Sequence, residues 1–410
     1  MITLYKFGIY IFILLLRAAA FFNGKARASI KGRTLIWNDL SGIDAERNLI
    51  WIHCSSLGEF EQGRPLIEKI KKHYPEYKIL LTFFSPSGYT IRRGYKYADY
   101  VSYMPFDTPG NARRFLQKVK PEKVFFVKYE FWYFFLRELH RRNIDIYLVS
   151  GIFRKNQYFF QWYGRPFRKM IRWFKWIFVQ DTGSIELLKS FGFNNVSLSG
   201  DTRLDRVAQI AGESKGITAI ENFKSHKPLL VAGSTWKKDE ELLFKFFRQT
   251  DNEFKMIVAP HEVGESNIER IISSLDDFKV YRYSTVQGEN IAEAEILIID
   301  SIGLLASLYR YGDFAYIGGG FGKGIHNIAE AAAWGIPVVF GPNHRKFKEA
   351  IDLIKQGGAF SIDDYNSLHT ILHRFLNNKK FLLDSGKAAG NYISQNAGAT
   401  QHIMQKVFKT

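Results

Sequence analysis

The feature that most constrains this 410-residue chain is an alternation of short apolar runs with amphipathic stretches that plays out twice. Runs at 49–53, 78–82, 123–127, 144–149, 176–179 and 196–199 are bounded by polar or glycine-bearing segments. Amphipathic stretches such as 60–73 and 131–142 lie between them. Strands joined through helices pair in parallel, and the helices then cover both faces of the sheet, which makes the chain α/β. Residues 200–227 are polar and carry little strand pattern, and the alternation then resumes at 228–232, 255–259, 278–281, 296–299, 314–318 and 337–340. Two such halves, each long enough to bury its own core, predict two Rossmann-like domains with ligands at the C-terminal ends of the strands.

Charge narrows the class of partner. With 57 Lys and Arg against 40 Asp and Glu, the net charge is +17, which favours a ligand carrying phosphate or carboxylate. Cys54 is the single cysteine, so neither an intrachain disulfide nor a cysteine-based zinc site can form. From Phe7 to Leu16 the sequence is uninterrupted and apolar, extending through Phe22 if Arg17 snorkels. Lys25, Arg27, Lys31 and Arg33 follow, and by the positive-inside rule they hold the bulk of the chain in the cytoplasm. A cleaved signal peptide is the alternative, with Ala18-Ala19-Ala20 as a small-residue site, but the basic cluster disfavours export. Residues 162–176 interleave basic and aromatic side chains, either as an interfacial membrane helix or as a solvated basic face over an aromatic core. No recognisable nucleic-acid motif accompanies them.

Two segments carry most of the chemistry. In Cys54-Ser55-Ser56-Leu57-Gly58-Glu59 an apolar strand enters a Ser/Gly turn, and Glu59 stands where the next helix begins. A carboxylate there is either a general base or a first-turn acid favoured by the helix dipole. In the second half, Gly318, Gly319, Gly320, Gly322 and Gly324 lead from a strand through His326 and Asn327 to Glu330 and an Ala-rich stretch expected to be helical. Glycines let backbone amides close on an anion, and a helix start adds dipole attraction for phosphate. A turn kept for packing is the alternative. The spacing does not match the dinucleotide fingerprint G-x-G-x-x-G. Ser234 and Thr235 follow one expected strand and His261 another, on the same rim. No D-x-D occurs, which argues against a divalent metal holding a sugar diphosphate.

Taken in order along nearly the whole chain, these motifs resemble the 3-deoxy-D-manno-octulosonic acid (Kdo) transferases, which transfer Kdo from CMP-Kdo to the lipid A precursor. The resemblance rests on the turn ending at Glu59, Thr82-Phe83-Phe84-Ser85-Pro86-Ser87-Gly88, Pro105-Phe106-Asp107 and Glu130-Phe131-Trp132. It continues through Gly200-Asp201-Thr202-Arg203-Leu204-Asp205, Gly233-Ser234-Thr235-Trp236, Pro260-His261, the glycine stretch to Glu330, and Gly341-Pro342-Asn343-His344. The chain departs from the family pattern at Lys128, where a carboxylate is common, at Gly320, which replaces a serine, at Ile325 before His326, and at 150–154.

The resemblance implies a GT-B fold, two Rossmann-like domains facing each other across a cleft, with an N-terminal membrane anchor. It implies an anchor at 1–22, an acceptor domain at 23–205, a linker at 206–227, a nucleotide-sugar domain at 228–385 and a C-terminal helix, 386–410, returning to the first domain. It makes the chain an inverting, metal-independent glycosyltransferase without cofactor, on the cytoplasmic face of the inner membrane. Glu59 then matches the catalytic base. Ser234, Thr235, His261, Gly318, Gly319, Gly320, Gly324, His326, Asn327 and Glu330 fall at positions expected to cradle CMP-Kdo, and Ser56, Gly58, Glu130 and Arg203 serve the acceptor or a secondary role. The partners are CMP-Kdo, the lipid A precursor lipid IVA and the cytoplasmic leaflet, with no nucleic acid. Rival functions are a UDP-sugar glycosyltransferase, a nucleotide-sugar 2-epimerase, or an inactive nucleotide-binding membrane scaffold.

Overall fold

A computed structural model of the chain describes residues 2–43, 48–213, 216–251, 253–286 and 291–408. Met1 of the expected anchor, residues 214–215 of the expected linker and residues 409–410 of the expected C-terminal helix lie outside these. The chain divides into two compact units, the first formed by residues up to Arg206 together with the segment from Ala397, the second by Val207–Asn396.

Each unit is built on a seven-stranded sheet, and every strand pairing is parallel. In unit 1 the strands β1 (Leu49–Cys54), β2 (Lys78–Phe83), β3 (Tyr100–Tyr103), β4 (Lys123–Val127), β5 (Asp145–Gly151), β6 (Trp176–Val179) and β7 (Val196–Leu198) lie in the order β3-β2-β1-β4-β5-β6-β7. In unit 2, β8 (Leu229–Thr235), β9 (Lys255–Pro260), β10 (Val280–Arg282), β11 (Ile296–Ile298), β12 (Phe314–Ile317), β13 (Val338–Phe340) and β14 (Ala359–Ser361) lie in the order β10-β11-β9-β8-β12-β13-β14. The strand order reverses between β1 and β4 and again between β8 and β12. In open α/β sheets such reversals open a crevice beyond the strand C-termini. Helices cover the central strands on both faces, as in β1, where all six residues are buried.

The N-terminal helix Ile2–Ala19 belongs to unit 1 and is long and apolar enough to cross a membrane. One face of it is nevertheless packed. The Tyr5 hydroxyl donates to Asp107 Oδ2 at 2.7 Å, its ring meets Tyr133, Phe134 and Phe167, and Phe12 meets Phe84 and Phe106. Asp107 is buried and also accepts from the amides of Phe134 and Phe135. Burial raises its pKa to about 6 although these donors oppose the shift. The opposite stripe of the helix, including Leu4, Phe7, Leu14 and Leu15, is exposed.

Three segments are seen in detail, and in the last of them an expectation is corrected. Residues 162–176 form no continuous membrane-lying helix: a 3-10 turn Trp162–Gly164 precedes the short helix Arg168–Arg172, and Met170, Ile171 and Phe174 enter the core. The segment 206–227 is largely helical, in Thr202–Glu213 and Thr218–Lys224. The Ala-rich stretch after the glycines makes a single helical turn, Ala329–Ala332, because Gly335 (φ +69°) and Pro337 follow closely.

Candidate active site

In unit 1 the ends of β1 and β4 flank the reversal, and both carry carboxylates. Beyond β1, Ser56 is the N-cap of the helix Leu57–His73, yet its hydroxyl caps no backbone amide. It donates instead to Glu59, which lies in the first turn and is half-buried. The helix start therefore keeps its own amide donors uncapped while Ser56 fixes the carboxylate. Gly58 is exposed beside it.

Behind this turn lies a buried polar relay. His53 Nδ1 is 2.8 Å from Thr82 Oγ1, which also accepts from Trp51 Nε1 at 2.7 Å. His53 Nε2 faces Glu130 Oε2 at 3.2 Å, within ion-pair range though off the line of a good hydrogen bond. Facing a carboxylate, Nε2 is the nitrogen that carries a proton. Glu130 itself is buried just beyond β4 and accepts from Trp132 Nε1 at 2.6 Å. Burial pushes its pKa up, but His53, Ser55 and Trp132 outweigh that and hold it below the usual glutamate value. Cys54 is fully buried and its thiol is pushed up by burial, so it offers no nucleophile. His53 is the link between β1, β2 and Glu130. Lys128, at φ +73°, turns the chain out of β4 in a conformation rare for a side-chain-bearing residue.

Arg203 lies in the segment that closes unit 1. Its backbone amide and guanidinium are engaged by Asp201, at 2.6 Å for Nη2. Thr202 Oγ1 donates to the Gln62 carbonyl at 2.6 Å, and Asp205 accepts from the amides of Gly398 and Thr400 at the start of helix Ala399–Phe408. This motif thus braces the fold around the helix that bears Glu59.

In unit 2 the ends of β8 and β12 flank the reversal, and the glycine stretch folds back on itself there. Gly322 and Gly324 donate to the Gly319 carbonyl, and His326 donates to the Gly318 carbonyl. A Cβ on Gly318 would sit 2.2 Å from the Ser234 carbonyl oxygen, and one on Gly320 would sit 2.6 Å from the backbone of Gly341. The amides of Gly320, Phe321 and Lys323 find no acceptor among the described residues. A turn of unpaired amides is an anion cradle. With only one helical turn following, these amides rather than a helix dipole supply the attraction.

Beside the loop is a pocket of about 610 Å³ lined by Trp236, Asp239, His261, Gly319, Gly324 and His326, with Lys238 and Lys323 adding positive charge. His261 stacks on Trp236 (4.7 Å between centroids) and on His326 (4.4 Å), while Trp236 Nε1 donates to His326 Nε2 at 3.2 Å. Burial, and then the neighbouring His261, lower the His326 pKa, which suits its acceptor role. Ser234, at φ +52°, touches the loop through its backbone. Thr235 is buried, with its hydroxyl donated to Glu240 at 3.0 Å. Asn327 Nδ2 donates to Glu330 Oε1 at 2.9 Å, so these two form a pair beside the pocket rather than part of its lining.

One supporting residue, Asp239, escaped the sequence reading, and another, Asn343, entered it only as part of Gly341-Pro342-Asn343-His344. Asp239, buried in the first turn of helix Lys237–Arg248, accepts from the amides of Gly319 (3.0 Å) and Trp236 (2.9 Å) and from the Tyr316 hydroxyl (2.7 Å). Asn343 braces the outer side of the loop, its amide donating to Gly320 O at 2.9 Å and its Nδ2 to Gly322 O at 2.8 Å.

Residues 29–206 match the family model described as 3-deoxy-D-manno-octulosonic-acid transferase (kdotransferase). The 3-deoxy-D-manno-octulosonic acid transferase of Aquifex aeolicus is 26% identical over 82% of this chain and 88% of its own length. That of Haemophilus influenzae is 24% identical over 87% and 85%. The chain is similar to the Kdo transferases over most of its length. Its fold is GT-B. Among solved structures, the UDP-GlcNAc 2-epimerase of Neisseria meningitidis bound to UDP-GlcNAc shares that fold with a TM-score of 0.62 at 15% identity, covering 89% of this chain and all of that one. The matched family segment spans Glu59, His53, Glu130 and Arg203. The glycine loop lies outside it, within the span shared with the full-length Kdo transferases.

Proposed function

We infer that this chain is a glycosyltransferase that moves Kdo from CMP-Kdo onto the lipid A precursor in lipopolysaccharide biosynthesis, with inversion at the anomeric carbon. Similarity to the Kdo transferases over most of the chain carries the reaction class, and the carboxylate-bearing turn of unit 1 and the unpaired amides of unit 2 each offer a part that the mechanism needs. An acceptor alcohol is a poor nucleophile and needs a base within reach as the new bond forms. Glu59, oriented by Ser56, takes the hydroxyl proton while the acceptor oxygen attacks the anomeric carbon. The bond from that carbon to the phosphate oxygen breaks, and CMP leaves with the electron pair. Negative charge growing on the departing phosphate meets the free amides of Gly320, Phe321 and Lys323 and the ammonium groups of Lys238 and Lys323. Neutral His326 and stacked His261 offer the nucleotide hydrogen bonds and ring faces, and Glu330 takes hydrogen bonds from the ribose.

Unit 1 works at the cytoplasmic leaflet, where the acceptor lipid resides; the apolar stripe of helix Ile2–Ala19 and the basic residues after it support this reading. Turnover of CMP-Kdo with lipid IVA by the purified full-length protein tests the whole reading, with unchanged rate in EDTA as the expected result for a metal-free reaction. Protection from heat by UDP but not CMP, without Kdo transfer, would move the chain to a UDP-sugar enzyme.

A further inference from the structure

A second cation-rich cavity lies in unit 1, where the last turn of helix Ile2–Ala19 meets helix Gly24–Thr34. It has a volume of about 200 Å³, and its wall includes Arg17, Arg33, Thr34, Trp37, Phe106 and Asn111. Arg33 is only 8% exposed. Its guanidinium lies between the rings of Phe84 (4.4 Å) and Phe106 (4.3 Å) and donates to the carbonyls of Phe84 (2.8 Å), Met104 (3.2 Å) and Ser29 (3.2 Å). Burial lowers its pKa to about 10, so it stays charged at neutral pH. No carboxylate pairs with it among the described residues. The Ser29 hydroxyl accepts from it as well, so its partners are all neutral oxygens, and an anion in the cavity would offset the cost of removing this cation from water.

The remaining features say which anion. Arg17, in the last turn of the apolar helix, is exposed and likewise has no acidic partner among the described residues. Arg114 stacks at 3.8 Å over Trp37, a ring of the cavity wall. The same aromatic rings that hold Arg33 also receive Phe12 from the apolar helix. Cavity and membrane-facing stripe are therefore parts of one surface. A ligand whose acyl chains lie along Leu14, Leu15, Phe21 and Phe22 would bring its headgroup to Arg17. Planar guanidinium groups with two parallel donors match phosphate oxygens better than a point charge does.

We propose that the cavity between Arg17 and Arg33 binds the phosphate group of a membrane lipid. The proposal rests on the membrane placement given above and would stand whichever sugar is transferred.

The test is flotation of the full-length protein with phosphatidylcholine vesicles containing either phosphatidic acid or an equal surface charge of oleate. The parent should bind the phosphatidic acid vesicles about tenfold more tightly, the worth of one charge-assisted hydrogen-bonded contact. Arg17→Gln, a change at an exposed position, should abolish that preference, and Arg33→Lys should weaken it while keeping the charge. If Arg33→Lys melts early, Arg17→Gln decides alone. Equal binding to both vesicle types, or a preference that survives Arg17→Gln, overturns the site but leaves the membrane placement intact. A parent that floats with neither overturns both. Displacement by millimolar inorganic phosphate assigns the cavity to free phosphate and overturns the lipid. A raised acceptor KM in Arg17→Gln identifies the acceptor's own phosphate, and loss of vesicle preference alone identifies bulk phospholipid.

Discussion

The two units solve one topological problem with opposite chemistry. Each sheet reverses its strand order once, beside β1 and β4 in unit 1 and beside β8 and β12 in unit 2, and each puts its polar apparatus at that point. In unit 1 the reversal gathers carboxylates: Glu59 held by Ser56, and Glu130 held by His53 and Trp132. In unit 2 it gathers donors: unpaired amides in a glycine loop, two lysines and a stacked imidazole pair. The shared topology puts the polar apparatus at the same place in each sheet, and the side chains at the strand ends make one place rich in carboxylates and the other rich in donors.

That contrast predicts that damage on one side spares the other. Glu59→Gln should lower turnover by on the order of 100-fold or more while CMP affinity and Tm stay at parental values. Near-normal turnover would remove the base from Glu59. On the other side, Glu330→Ala should weaken CMP binding by about 1.5–3 kcal/mol, read by calorimetry. Unchanged affinity would confine Glu330 to its bond with Asn327. Gly318→Ala forces a methyl onto the Ser234 carbonyl and should lower stability by about 1–3 kcal/mol. CMP affinity should fall with it, and a thermal melt with full CMP binding would show that the loop tolerates the shift.

The smallest effect is a pH slope confined to unit 1. Asp107 is raised from 3.8 to about 6 in the folded state by burial, so folding favours its protonated form. Its contribution is fully present below the unfolded value and is lost as pH rises through about 6. Stability should therefore gain from this group as pH falls from about 6 towards 4, and Asp107→Asn should flatten that slope in Tm against pH. An equal slope in the variant would assign it to other groups.

Much of this was legible where burial is complete. The runs 123–127 and 176–179 coincide with β4 and β6 because strands buried on both faces show as unbroken apolar segments. Strands β3 and β14 went unread for the converse reason: they are the sheet edges, half-exposed, and polar residues interleave in them. Alanine content overstated the helix after the glycine loop, since propensity says nothing of the Gly335 and Pro337 that end it. The motif glycines were visible as a group, but Asp239 was not. An acid in a first helical turn looks like any dipole partner until the fold carries it to an amide 80 residues away. His53 was hidden in the same way, its partners Thr82 and Glu130 being supplied by two other strands.

The return of the chain to unit 1 has a consequence for the order of events during synthesis. Unit 2 is one continuous stretch, whereas unit 1 needs its final helix, Ala399–Phe408: Ile403 and Met404 enter its core and Phe408 stacks on Tyr74 at 4.6 Å. Domains ordinarily fold as units in the order they leave the ribosome. Here the half that emerges first must wait for its last piece until the whole of the other half has been made. The nascent protein therefore carries an exposed apolar N-terminal helix and an unfinished core together until the C-terminal helix arrives.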